Sequence, residues 1–79
     1  MEYIVLSFTQ GGAIRYQRFL AFMGIKGKLQ PVPRKLSSSC GIAVRLCYHG
    51  DLKMLINDDV ERIYQLDENV YTLKYQAEN

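Results

Sequence analysis

The order in which strand and helix periodicities follow one another constrains this chain more than any single residue does. Tyr3-Ile4-Val5-Leu6-Ser7-Phe8-Thr9 is β-branched, aromatic and almost continuously apolar, which describes a strand buried on most of both faces. After Gln10-Gly11-Gly12 the period changes. Ala13, Tyr16, Leu20 and Met23 fall on one face of a helix over about 13–23. Thr9 is placed to cap it, and Gly24 to end it in a left-handed conformation. Phe19 and Phe22 widen the apolar surface of that helix and read as core before they read as a dimer contact. Lys28 to Pro33 is extended, and its two prolines, each without a ladder donor, confine it to a sheet edge or an extended lead-in.

Ile42 to Tyr48 alternates: Ile42, Val44, Leu46 and Tyr48 point one way, and Ala43, Arg45 and Cys47 the other. His49-Gly50-Asp51 reads as a turn, with Asp51 capping a short helix over 52–57 that turns Leu52, Leu55 and Ile56 inward. Val60–Leu66 and Val70–Tyr75 are two more strands, joined by a hairpin turn at Asp67-Glu68-Asn69. The order is β-α-β-β-α-β with an added terminal strand. It predicts a single α+β domain over 1–79, a two-layer ferredoxin-like sandwich: a mainly antiparallel sheet with two helices on one face and an extra C-terminal strand.

Length and composition limit what such a domain can do. A chain of 79 residues, 48% hydrophobic and 23% charged, is globular rather than disordered. It buries only about 60–65% of its unfolded surface, which leaves room for a stabilising partner. Phe19, Phe22 and the exposed edge strands suggest a homodimer. No apolar run reaches the roughly 20 residues that span a bilayer. The start lacks a basic signal-peptide region, so the expected location is the cytoplasm, without a membrane.

Charge is segregated along the chain. Eight basic residues and one acid lie between Arg15 and Lys53, whereas six acids and two bases follow from Met54 onward. The middle of the chain can therefore offer a positive field to an anion or a thiolate, or be no more than a solvated face.

Arg34-Lys35-Leu36-Ser37-Ser38-Ser39-Cys40-Gly41 is the segment with the most chemistry in it. Cations favour the thiolate, which is the nucleophilic form of cysteine, and Arg34, Lys35 and Arg45 flank Cys40. Ser37, Ser38 and Ser39 bring hydroxyls, and their backbone amides can cradle an anion. Gly41 has no side chain, so a ligand can approach the sulfur. The prolines before Cys40 and the alternation after it place that residue outside the sheet ladder, on the surface. A serine turn beside a packed cysteine is the competing reading. Cys47, inside a strand, reads as inert packing. If 41–48 is a strand, the two cysteines lie about 20 Å apart, beyond the roughly 7 Å that a disulfide spans. Cys47, His49 and Asp51 share parity but lack the close ligand pairs of a metal site.

The run Val32–Arg45, with its Pro-Arg dipeptide, Ser-Ser-Cys-Gly loop and apolar-Arg strand, resembles a family of short bacterial proteins described as "putative selenium/sulfur carrier protein-like". The resemblance extends over nearly the whole chain and implies a carrier thiol at Cys40, with Pro33, Arg34, Ser38, Ser39, Gly41 and Arg45 matching the surrounding motif. The chain departs from the pattern at its end, where the second helix looks short and acidic and the 70–75 strand follows. The resemblance implies protein partners that donate and accept sulfur or selenium.

The residues show no acid/base pair for general catalysis and no phosphate loop or other cofactor signature, so a carrier fits better than a full enzyme. The alternative is a non-catalytic module that grips a small anion or a protein with the same loop. Nucleic-acid binding fits less well, because the 42–48 strand offers only Tyr48 for base stacking.

Overall fold

The computed structural model describes residues 1–38 and 40–78. It is an α+β protein built on one five-stranded antiparallel sheet with one α-helix. The strands are β1 (Glu2–Ser7), β2 (Lys28–Pro31), β3 (Ile42–Cys47), β4 (Val60–Asp67) and β5 (Val70–Gln76), and the helix is α1 (Gln10–Phe22). Across the sheet the order is β2-β3-β1-β4-β5. β1 is central and antiparallel to both β3 and β4.

The central position explains why β1 is apolar at almost every residue. Tyr3 and Val5 enter the main core with Ala13, Tyr16 and Leu20 of α1, Val44 and Leu46 of β3, and Ile63 of β4. Ile4 and Leu6 point to the other side, where they form a second core with Ala43. Among the described residues no helix covers that second face. Val32 and Leu36, from the segment between β2 and β3, pack over it together with Tyr64 and Tyr71.

The helix begins one turn earlier than its apolar spacing suggests. Thr9 is extended and its Oγ1 accepts a hydrogen bond from the Gly12 amide at 2.9 Å, so Gln10, Gly11 and Gly12 form the first turn. The other end closes as a Schellman motif. Gly24, at φ 73°, donates to the Ala21 carbonyl, and Ile25 donates to that of Leu20. Phe19 packs on the core with its ring 5.6 Å from that of Tyr16. Phe22 does not join that core: it is 93% exposed, which corrects its reading as a core residue.

The second helix expected over 52–57 does not form. A single 3-10 turn, Leu52–Leu55, takes its place, capped by the Asp51 carboxylate on the Lys53 amide. Ile56 is already extended. Isolated helical turns are costly to nucleate, and the Ile56 amide donates back only three residues, to the Lys53 carbonyl; the Leu55 carbonyl accepts the Tyr16 hydroxyl at 2.6 Å. The two-helix layer of the ferredoxin-like expectation is thus corrected to one helix and one 3-10 turn. The terminal strand is present as β5. Glu68 and Asn69 both have positive φ, as two-residue hairpin turns of type I′ require. Among the described residues no helix is long and apolar enough to cross a membrane.

Gly27, in the connection between α1 and β2, sits against Leu20 of α1 and Val44 of β3. A Cβ added there would stand 2.9 Å from both Leu20 Cδ1 and Val44 Cγ1, and both of those side chains are fully buried. Gly27→Ala is therefore expected to destabilise the fold by about 1–3 kcal/mol through overpacking. Urea unfolding checks it, as a lower midpoint at unchanged slope.

Candidate functional site

Cys40 sits between the loop and β3, two residues before the first ladder residue, Ile42. It lies outside the strand, as the prolines and the alternation suggested. Its exposure does not follow the expectation: the residue is 8% accessible. The thiol donates to the Ile42 carbonyl at 3.0 Å and lies 3.4 Å from Ser38 Oγ. Ser38 Oγ also accepts from the Cys40 amide at 3.3 Å. Ser38 therefore holds the cysteine at both its backbone and its sulfur.

Gly41 has φ 74°, and a Cβ there would meet nothing within 4 Å. Its role is conformational: only glycine takes up this left-handed turn without strain. The turn lets the Gly41 carbonyl accept the Val32 amide at 3.1 Å, closing the loop onto the end of β2.

The other expected members separate. Ser37 and Arg34 are exposed. Arg34 and Lys35 line a shallow depression with Asn69 and Tyr71, and Lys35 Nζ donates to the Asn69 carbonyl at 3.3 Å. These two cations flank the β4–β5 hairpin. Arg45 is paired with Glu2 across β3 and β1. Sequence proximity put three cations around the thiol, but its hydrogen-bond partners are Ser38 and a main-chain carbonyl. Ser39 lies outside the described residues.

One residue that the sequence did not single out reaches the loop. Gln10, in the first turn of α1, donates from Nε2 to the Cys40 carbonyl at 3.3 Å. No local signal marks it, because 30 residues separate the partners and only the fold brings the start of α1 to this loop.

Cys47 corrects a second expectation. It is exposed, and both cysteines are free. β2 begins at Lys28, which stands opposite Arg45. Two residues further along, Cys47 has β1 on one side, opposite Glu2, and no strand on the other. Among the described residues no three His, Cys, Asp or Glu side chains gather as metal ligands.

A search of curated proteins returned no match, and a search of solved structures returned none. The family model described as "Putative Se/S carrier protein-like" matches residues 2–65. The matched stretch includes β1, α1, β2, the Ser-Cys-Gly loop, β3 and most of β4, and stops before β5. The chain belongs to this Se/S carrier protein-like family.

Proposed function

We propose that this protein carries a zero-valent sulfur or selenium atom on Cys40 and passes it between partner proteins. Family membership over residues 2–65 carries the reading, since the matched stretch contains the Ser-Ser-Cys-Gly loop. The transfer balances without an outside oxidant. The Cys40 thiol takes the terminal atom of a donor persulfide, R–S–SH, becoming Cys40–S–SH as the donor leaves as R–SH. A selenium atom from R–S–SeH moves in the same way. The shelter around Cys40 suits a carrier: a persulfide at a thiol only 8% accessible is screened from small reducing thiols until a partner opens the loop. Ser38 holds the sulfur's position, and Gln10 ties the loop to α1.

The same burial favours a second reading, in which Cys40 is a packed strut and the loop is a surface that binds a protein or a small anion. Intact mass after incubation with a persulfide donor, then desalting, tests the two. Because Cys47 is exposed, the test is made in the Cys47→Ser background. The carrier reading expects a gain of one sulfur or selenium atom in Cys47→Ser, and none when Cys40→Ser is added to it. No gain in Cys47→Ser leaves the binding reading.

A further inference from the structure

A cavity of about 420 Å³ opens at the opposite end of β3 from the Ser-Cys-Gly loop. Its charged and reactive side chains are Glu2, Lys26, Lys28, Arg45 and Cys47. Strand register assembles them: Lys28 of β2 stands opposite Arg45, Cys47 follows Arg45 on the same face of β3, and Glu2 of β1 stands opposite Cys47. Lys26 comes from the connection that follows α1. Arg45 and Glu2 neutralise each other as an ion pair. Lys26 and Lys28 are exposed, and neither forms an ion pair among the described residues. Three cations against one carboxylate leave a surplus of two positive charges beside an exposed thiol.

We propose that this cavity recognises small dianionic disulfides and that Cys47 is the group that reacts with them. The paired Arg45 holds the floor of the cavity in place, and the two lysines supply the charge that attracts the ligand. The reaction is thiol–disulfide exchange. The Cys47 sulfur, having given its proton to solvent, attacks one sulfur of the ligand. A Cys47–S–S bond forms as the ligand's own S–S bond breaks, and the other half leaves as a thiolate with the electron pair. The ligand's disulfide is the oxidant. The inference does not depend on the carrier reading, because it uses neither Cys40 nor its loop.

The test compares two reagents on the full chain at one pH. One is the dianionic 5,5′-dithiobis(2-nitrobenzoate), and the other is the uncharged 4,4′-dithiodipyridine. Both undergo the same exchange, so the ratio of their rate constants cancels the intrinsic reactivity of the thiol. Peptide mass mapping assigns the fast reaction, and Cys40→Ser isolates it. At low salt the anionic-to-neutral ratio at Cys47 should exceed that of the uncharged N-acetylcysteinamide by about tenfold, as two nearby cations can supply. Lys26→Gln combined with Lys28→Gln should return it to the N-acetylcysteinamide value, as should salt at about 0.5 M. A ratio equal to that of N-acetylcysteinamide in the wild type overturns the proposal. So does a ratio indifferent to both lysines, or a fast reaction that maps to Cys40 in the wild type.

Discussion

Tyr16→Ala is expected to lower the melting temperature by about 12–40 °C. Tyr16 is the largest fully buried side chain. It fills the space between α1 and the sheet, and its hydroxyl fixes the 3-10 turn through the Leu55 carbonyl. Truncating a buried aromatic ring costs about 3–5 kcal/mol. A domain of this length has about 4–12 kcal/mol in total, so the loss consumes much of the stability. Far-UV circular dichroism against temperature checks it.

Tyr16→Phe separates packing from hydrogen bonding. It keeps the ring but leaves the Leu55 carbonyl without its partner, at about 1–3 kcal/mol. The melting temperature should fall by about 5–20 °C. The phenol also gives this position a pH signature. Burial pushes its pKa well above the ordinary value near 10. The unfolded chain therefore ionises Tyr16 first as pH rises, and stability is full below about pH 10 and declines above it. The decline should be shallower in Tyr16→Phe. Equal slopes in the two proteins would contradict the buried, neutral phenol.

Alkylation at neutral pH is expected to mark Cys47 well before Cys40, the reverse of what the Ser-Cys-Gly motif suggested. Cys47 meets solvent at the end of β3. Cys40 is 8% accessible and its sulfur is engaged with Ser38 and the Ile42 carbonyl. A reagent reaches Cys40 only through local opening of the loop. With limiting iodoacetamide, peptide mass mapping should show Cys47 modified at least about tenfold faster in the folded protein, and the two rates converging in denaturant. Ser38→Ala should raise the Cys40 rate and leave that of Cys47 unchanged. Faster labelling of Cys40 in the native protein would mean that the loop is open in solution.

What the sequence determined is local. The alternation in 42–48 assigned Ile42, Val44 and Leu46 to one side of β3 and Ala43, Arg45 and Cys47 to the other, because side chains in a strand can point only two ways. Thr9 and Gly24 marked the ends of α1, because the orphan donors and carbonyls of a helix need such residues nearby. The two prolines kept 28–33 off the sheet centre, and β2 is an edge strand. The Ser-Ser-Cys-Gly run was legible as a junction of loop and strand, but Gly41 read as open access to the sulfur, and its positive φ gives it a conformational role instead.

What the tertiary structure decided is exposure and company, and each case has a physical cause. The accessibility of a thiol depends on what packs beside it, and that is set by residues distant in sequence. β2 stops opposite Arg45, and this difference in strand length, invisible in the 42–48 pattern, uncovers Cys47. Arg45 lies near Cys40 along the chain, but a strand advances about 3.3 Å per residue, so five residues carry its charge away to Glu2. The β4–β5 hairpin draws Lys35 through Asn69. The 52–57 segment had the pattern for a short helix, but so few residues nucleate one poorly, and a single 3-10 turn ends at Leu55, whose carbonyl accepts the Tyr16 hydroxyl. Periodicity and caps are properties of neighbours along the chain; burial, ion pairing and the length of a sheet edge come into being only when the strands assemble.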